Sequence, residues 1–161
     1  MPTYPQRKSP RLKGCDYTQA GAYFVTICQQ NRVCLFGEIA DGELRLNAAG
    51  DMVRAWWERL PGKFPALEID HCVVMPNHFH GMVLLDGGQT GLSTAIQWFK
   101  AMTTNAYIRG VNEHGWIPFE RHLWQRSFHD HIIRDQRGLA MIRGYIETNP
   151  ARWSEDTFHV T

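Results

Sequence analysis

The stretch from Ala66 to Leu85 constrains the fold most tightly. "ALEIDHCVVM" and "HFHGMVLL" are short runs rich in β-branched and apolar residues, joined by Pro76 and Asn77. Runs of this length and composition read as strands, and the Pro-Asn pair between them reads as a turn. Side chains two apart on a strand share a face. His78 and His80 therefore project together, with Cα atoms about 7 Å apart, close enough to share one metal ion.

The remaining elements arrange themselves around this pair of strands. "GAYFVTICQ" (Gly21 to Gln29) reads as the first strand, and the Asp41-Gly42 pair in "GEIADGELRLN" marks a hairpin. Asn47 is an N-cap for a helix carrying Ala49, Val53, Trp56 and Leu60 at helical spacing, which Pro61-Gly62 stops. A second helix is expected from near Ser93, with Ala95, Phe99, Met102 and Ala106 on one face. "SFHDHIIR" (Ser127 to Arg134) is the fourth long strand, and a last helix runs from about Gln136 to Asn149 before Pro150. With the early hairpin set aside, the order is strand, helix, strand, strand, helix, strand, helix. That order is an α+β, ferredoxin-like (split βαβ) plan: an antiparallel sheet, two helices on one face, and an extra C-terminal helix.

The chain of 161 residues is expected to be a single domain. Its net charge of +1 is unevenly spread. Arg7, Lys8, Arg11 and Lys13 precede the first acid, Asp16, and form a basic arm over about residues 1–14, read either as a solvated tail or as a phosphate-binding segment. The N-terminal stretch has no apolar core, so no secretory signal is expected, and no apolar run is long enough to cross a bilayer. Cys15, Cys28, Cys34 and Cys72 form no CxxC pair, which removes a zinc knuckle or redox dithiol and makes a reduced, cytoplasmic setting the default.

The last helix carries complementary chemistry in "GYIETNP". Tyr145 and Asn149 are four residues apart, on one helical face, separated by about 6 Å of axial rise. If that helix crosses the open sheet face, the Asn149 amide oxygen can join two imidazoles around a divalent cation while Tyr145 points at the same ion. Two nitrogens and an oxygen suit Mn²⁺ and tolerate Mg²⁺.

"MPNHFHG" followed by "YIETNP" resembles the HUH single-strand DNA transposases, and within them the REP-associated tyrosine transposases. "RLKGCDYTQAGAYFVTICQQNR" and "LWQRSFHDHIIR" look like the same branch, so the resemblance covers most of the chain. It implies that His78 and His80 bind the metal, that Asn149 is the third ligand, and that Tyr145 attacks a phosphodiester of single-stranded DNA. The products implied are a 5′-phosphotyrosine and a free 3′-hydroxyl, on substrates that fold as short palindromic hairpins. The REP-associated branch implies a monomer, while more distant relatives exchange the tyrosine helix between subunits. Many relatives outside the branch have Gln at the position of Asn149, so the shorter side chain requires the last helix to come closer or tilt.

Several residues have two readings. His129 and His131 form a second His-x-His pair, but around Asp130 and with no Tyr/Asn partner. His131 is either a phosphate contact or a structural histidine. Tyr107 is a rival nucleophile, but Val111 stands four residues on, so packing is favoured. Trp124 next to Gln125 and Arg126 could stack a base and hold a phosphate. Lys100 lies off the apolar stripe of its helix, exposed by default and available to a phosphate. Two other functions fit parts of the pattern: a non-catalytic hairpin nucleic-acid-binding module, which needs exposed sheet aromatics, and a metal-dependent hydrolase that uses water instead of Tyr145.

Overall fold

The computed structural model describes residues 21–87 and 91–160. The basic arm with Arg7, Lys8, Arg11 and Lys13 lies outside the described residues. The main sheet contains β1 (Gly21–Cys28), β4 (Leu67–Met75), β5 (His78–Leu85) and β6 (His129–Ile133) in the order β4-β5-β1-β6. All three pairings are antiparallel. A separate hairpin joins β2 (Gly37–Ala40) to β3 (Glu43–Leu46). Its turn holds Asp41 at φ 53° and Gly42 at φ 76°, the double left-handed geometry that matches strand twist.

One sheet face is covered by α1 (Ala48–Glu58) and α3 (Leu92–His114). Tyr23, Val25 and Ile27 of β1 and Phe79 and Val83 of β5 meet Val53 and Trp57 of α1 and Ala95, Ile96 and Phe99 of α3 there. Gly81 lets α1 approach: a Cβ at this position would lie 2.5 Å from Trp57 Cζ2. The opposite face packs Phe24 and Met82 against Ile142 and Ile146 of α4 (Gln136–Thr148). The two helices on one face and the extra helix on the other are the ferredoxin-like arrangement expected from the sequence.

Element boundaries differ in physically informative ways. Asn47 does cap α1, its Oδ1 accepting from the Gly50 N–H at 2.9 Å. The helix ends at Glu58 rather than at Pro61, which instead opens the four-residue α2 (Leu60–Lys63), because the first turn needs no N–H there. α3 starts at Leu92 with Gly91 as its cap, not at Ser93, and runs on past Tyr107 to His114. Tyr107 is a packing residue: it is buried and its hydroxyl donates to Ile117 O at 2.7 Å. Tyr23 and Phe24 are both buried, on opposite faces, so neither gives the exposed aromatic platform that a sheet-surface nucleic-acid module needs. No helix among the described residues is long and apolar enough to cross a membrane.

Candidate active site

β5 alternates cleanly. Phe79 and Val83 enter the α1–α3 core, so His78, His80 and Met82 point at α4. Both histidines are fully buried. Each engages the protein through Nδ1 and turns Nε2 inward. His80 Nδ1 lies 2.8 Å from the hydroxyl of Thr26, its partner across β1, and His78 Nδ1 lies 2.8 Å from Asn77 Oδ1. Asn77 donates its amide N–H groups to Arg32 O (3.1 Å) and Phe158 O (2.8 Å), which fixes its oxygen toward His78. An amide oxygen only accepts, so His78 carries its proton on Nδ1 and keeps the Nε2 lone pair for a ligand.

The two Nε2 atoms stand 3.1 Å apart, and Asp156 Oδ2 lies 3.5 Å from that of His78. One donor atom from each of His78, His80 and Asp156 lies within 4.8 Å of the others. Burial lowers the pKa of both rings, His80 well below the ordinary value and further depressed by its neighbour His78. Both are thus held in the neutral form that binds cations. For Asp156, burial pushes the carboxyl up, but the contacts of His78, the Phe158 backbone N–H and His80 together outweigh it and the net direction is down.

Tyr145 and Asn149 come from α4 and its end. The Tyr145 ring stands edge-on to His80 with centroids 5.5 Å apart, and edge-on to Phe24 at 5.9 Å. Asn149 ends α4 and begins a 3₁₀ segment, Pro150–Glu155. It is fully buried, yet neither its amide oxygen nor its nitrogen has a hydrogen-bond partner. Beyond it, the Trp153 and Phe158 rings lie 6.1 Å and 4.6 Å from His78, roofing the histidine pair.

These donors fit a divalent cation. A 3.1 Å gap suits two ligands sharing an ion with bonds of about 2.1 Å. Asp156 Oδ2, also without a hydrogen-bond partner, supplies negative charge. A buried amide oxygen left unpaired costs about 1–3 kcal/mol, which a cation at Asn149 Oδ1 would offset.

Residues 62–149, more than half of the chain and including both histidines, Tyr145 and Asn149, match the family described as transposase, IS200-like. The chain belongs to the IS200-like transposase family. A Haemophilus influenzae protein with no assigned function is 34% identical over 175 residues, covering 96% of this chain and 93% of its own. A second protein of that organism, provisionally named a REP-associated tyrosine transposase, is 26% identical over 156 residues, covering 89% and 83%. Among solved structures, a REP-associated tyrosine transposase bound to a REP hairpin has a similar fold: TM-score 0.64, 23% identity, 94% of this chain and 74% of that one. A protein of Deinococcus radiodurans provisionally described as a transposase gives TM-score 0.53 at 16% identity, covering 84% and 95%. The resemblance to the REP-associated branch read from the sequence stands.

Other candidate residues of this IS200-like transposase are dispersed. His131 lies opposite Phe24 and His129 opposite Thr26, so both share the His80 face. Trp124 is not a base-stacking platform: it is 3% exposed, and its indole N–H donates to Thr103 Oγ1 at 2.8 Å. Lys100 is not a solvated cation. Its ammonium donates to the carbonyls of Gln125 (2.6 Å) and Arg126 (3.1 Å), holding the loop after α3. The Arg126 side chain is exposed, on a cleft of about 750 Å³ beside α3 that also includes Arg121 and His122. Sequence reasoning missed Asp156, Asn77 and Thr26. Only Asn77, adjacent to the His pair, carried a local signal.

Proposed function

We propose that this chain is a divalent-metal-dependent single-stranded DNA endonuclease and strand transferase, with Tyr145 as nucleophile and short palindromic hairpins as substrates. One observation carries the reading: two neutral imidazoles meet Nε2 to Nε2 at 3.1 Å, with the Tyr145 ring 5.5 Å from one of them. The tyrosine is half-buried beside the cation-binding donors, where a water-using hydrolase would have no need of it.

His78 and His80 would hold Mg²⁺ or Mn²⁺, with an oxygen from Asp156 or Asn149. The ion, when bound, supplies Lewis-acid charge stabilisation at the phosphate oxygens. Tyr145 Oη attacks phosphorus, the P–O3′ bond breaks, the phenolic proton is released, and the departing 3′-oxygen takes up a proton. The products are a 5′-phosphotyrosine and a 3′-hydroxyl. A phenol of pKa near 10 is only about one part in a thousand ionised at pH 7, so orientation of the ring matters as much as its acidity. The tyrosyl phosphodiester retains the bond energy, and a 3′-hydroxyl can attack it in turn, so joining needs no nucleotide cofactor.

Arg7, Lys8, Arg11, Lys13, Arg126 and His131 are the proposed DNA contacts. α4 packs on its own sheet, which supports a monomer that supplies its own tyrosine. An enzyme that works on chromosomal DNA in this way acts in the cytoplasm. The test is incubation of a labelled hairpin-bearing single strand with protein and Mn²⁺, followed by denaturing electrophoresis. A covalent adduct is expected from the wild type and none from Tyr145→Phe, which still binds the hairpin. Adduct formation by Tyr145→Phe at the wild-type rate removes Tyr145 from the mechanism.

A further inference from the structure

The pairing of β4 with β5 slips between Ile69, opposite Val83, and Cys72, opposite Gly81. Asp70 and His71 together oppose Met82 alone, which makes the slip a β-bulge. Consecutive residues of a regular strand point to opposite faces. Here both reach α4. Asp70 accepts from Arg143 in a fork, Nε to Oδ1 at 3.0 Å and Nη2 to Oδ2 at 2.7 Å. His71 Nε2 lies 2.9 Å from Glu147 Oε1, one helical turn further along, and its Nδ1 lies 2.7 Å from Asp70 Oδ1.

At about 100° per residue, α4 divides into three faces. Ile142 and Ile146 face the sheet. Arg143 and Glu147 form one flank, and Tyr145 and Asn149 the other. The apolar contacts of Ile142 and Ile146 are non-directional and resist separation more than rotation. A bidentate Arg–carboxylate pair is directional. With side-chain tips about 5–6 Å from the axis, a roll of about 10° moves them by about 1 Å. A misplacement of that size can cost a reaction about 10²-fold.

We propose that the bulge contacts of Asp70 and His71 with Arg143 and Glu147 form a latch that sets the roll of α4 and so aims Tyr145 at the histidine pair. These four are positioning residues, and the inference rests on Tyr145 being the nucleophile. The Arg143 and Glu147 side chains are 39% and 63% exposed, so the latch adds little stability, as such pairs usually do. Its effect is geometric, and this separates it from a structural ion pair.

The experiment compares wild type with Arg143→Ala, Arg143→Lys and the swap Asp70→Arg with Arg143→Asp. Single-turnover adduct formation is followed at saturating hairpin DNA and Mn²⁺, beside hairpin affinity and thermal melting. In the DNA-free protein, nuclear Overhauser contacts are read between the Tyr145 ring and the His80 and Phe24 rings. For Arg143→Ala we expect a rate loss of about ten- to hundredfold. Its hairpin Kd should stay within about twofold, its melting should fall by only a few degrees, and the ring contacts should weaken. Arg143→Lys keeps the charge, loses the fork and falls between; the swap recovers most of the rate. Wild-type rate with intact ring contacts in Arg143→Ala overturns the latch. So does a variant that loses its fold, since the role is then structural. If wild type forms no Tyr145 adduct, the nucleophile reading has failed, and the latch is judged on the ring contacts alone.

Discussion

Asn77 dictates which nitrogen His78 offers. Its amide donates to Arg32 O and Phe158 O, so its oxygen accepts from His78 Nδ1 at 2.8 Å, and Nε2 is left facing His80. The contact to Phe158 also ties the segment that roofs the site to the turn that starts β5. A single side chain thus links the tautomer of His78 to the position of the Phe158 segment over it.

At the proposed cation site, Asn77→Ala should therefore weaken Mn²⁺ binding without removing a ligand. Losing the partner that orients a metal-binding histidine typically costs about 10- to 100-fold in affinity. Titration calorimetry with Mn²⁺ should show a loss in that range, with a smaller loss for Asn77→Asp, which keeps the acceptor. Unchanged affinity in Asn77→Ala means that His78 binds no ion through Nε2.

The oxygen donor separates two candidates. Asp156 brings a charge and Asn149 a neutral amide, which water can replace. Asp156→Ala should lower Mn²⁺ affinity by about tenfold or more, and Asn149→Ala by less, about threefold. The reverse order in the same calorimetric series would make Asn149 the ligand and Asp156 only a partner of His78.

How much of this was legible in the sequence follows from the range of each interaction. Periodicity within single elements exposed the His78–His80 face, the Tyr145–Asn149 face and the Asn47 cap, and the order of elements exposed the sheet. Asp156 comes just after the 3₁₀ segment that follows α4, where no periodic pattern marks it, and only the fold-back of the chain brings it to His78. The bulge left a trace, two adjacent polar residues at Asp70 and His71 inside an apolar strand, but where they reach depends on α4. Trp124 belongs to an irregular segment after α3, and Lys100, on α3 itself, is held by carbonyls of that segment, so sequence neighbours said nothing about burial or partners.

Trp124 yields a stability prediction rather than a DNA-binding one. Trp124→Phe removes the N–H bond to Thr103 but keeps an aromatic ring among Phe36 and Phe99, so the loss should be about 1 kcal/mol. Trp124→Ala should cost about 3–5 kcal/mol. Urea denaturation measures both. Hairpin affinity, compared where each protein is folded, should not change; a selective loss of affinity in the folded Ala variant would restore the base-stacking role.

The Asp70–Arg143 pair predicts the acid limb of stability. The Arg143 fork, aided by the His71 backbone N–H, holds the Asp70 carboxyl well below the ordinary range despite an opposing contribution from partial burial. A carboxyl depressed in the folded state stabilises the fold above its unfolded value, about 4, and that contribution disappears as pH falls toward the folded value. The melting-temperature gap between wild type and Asp70→Asn should therefore be constant between about pH 5 and 8 and narrow below about pH 4. Because Arg143 is partly exposed, the gap should also shrink in high salt. Melting curves across pH at two salt concentrations decide it. A gap that widens on acidification would show that Asp70 is not held ionised by Arg143, and that the fork does not order this flank of α4.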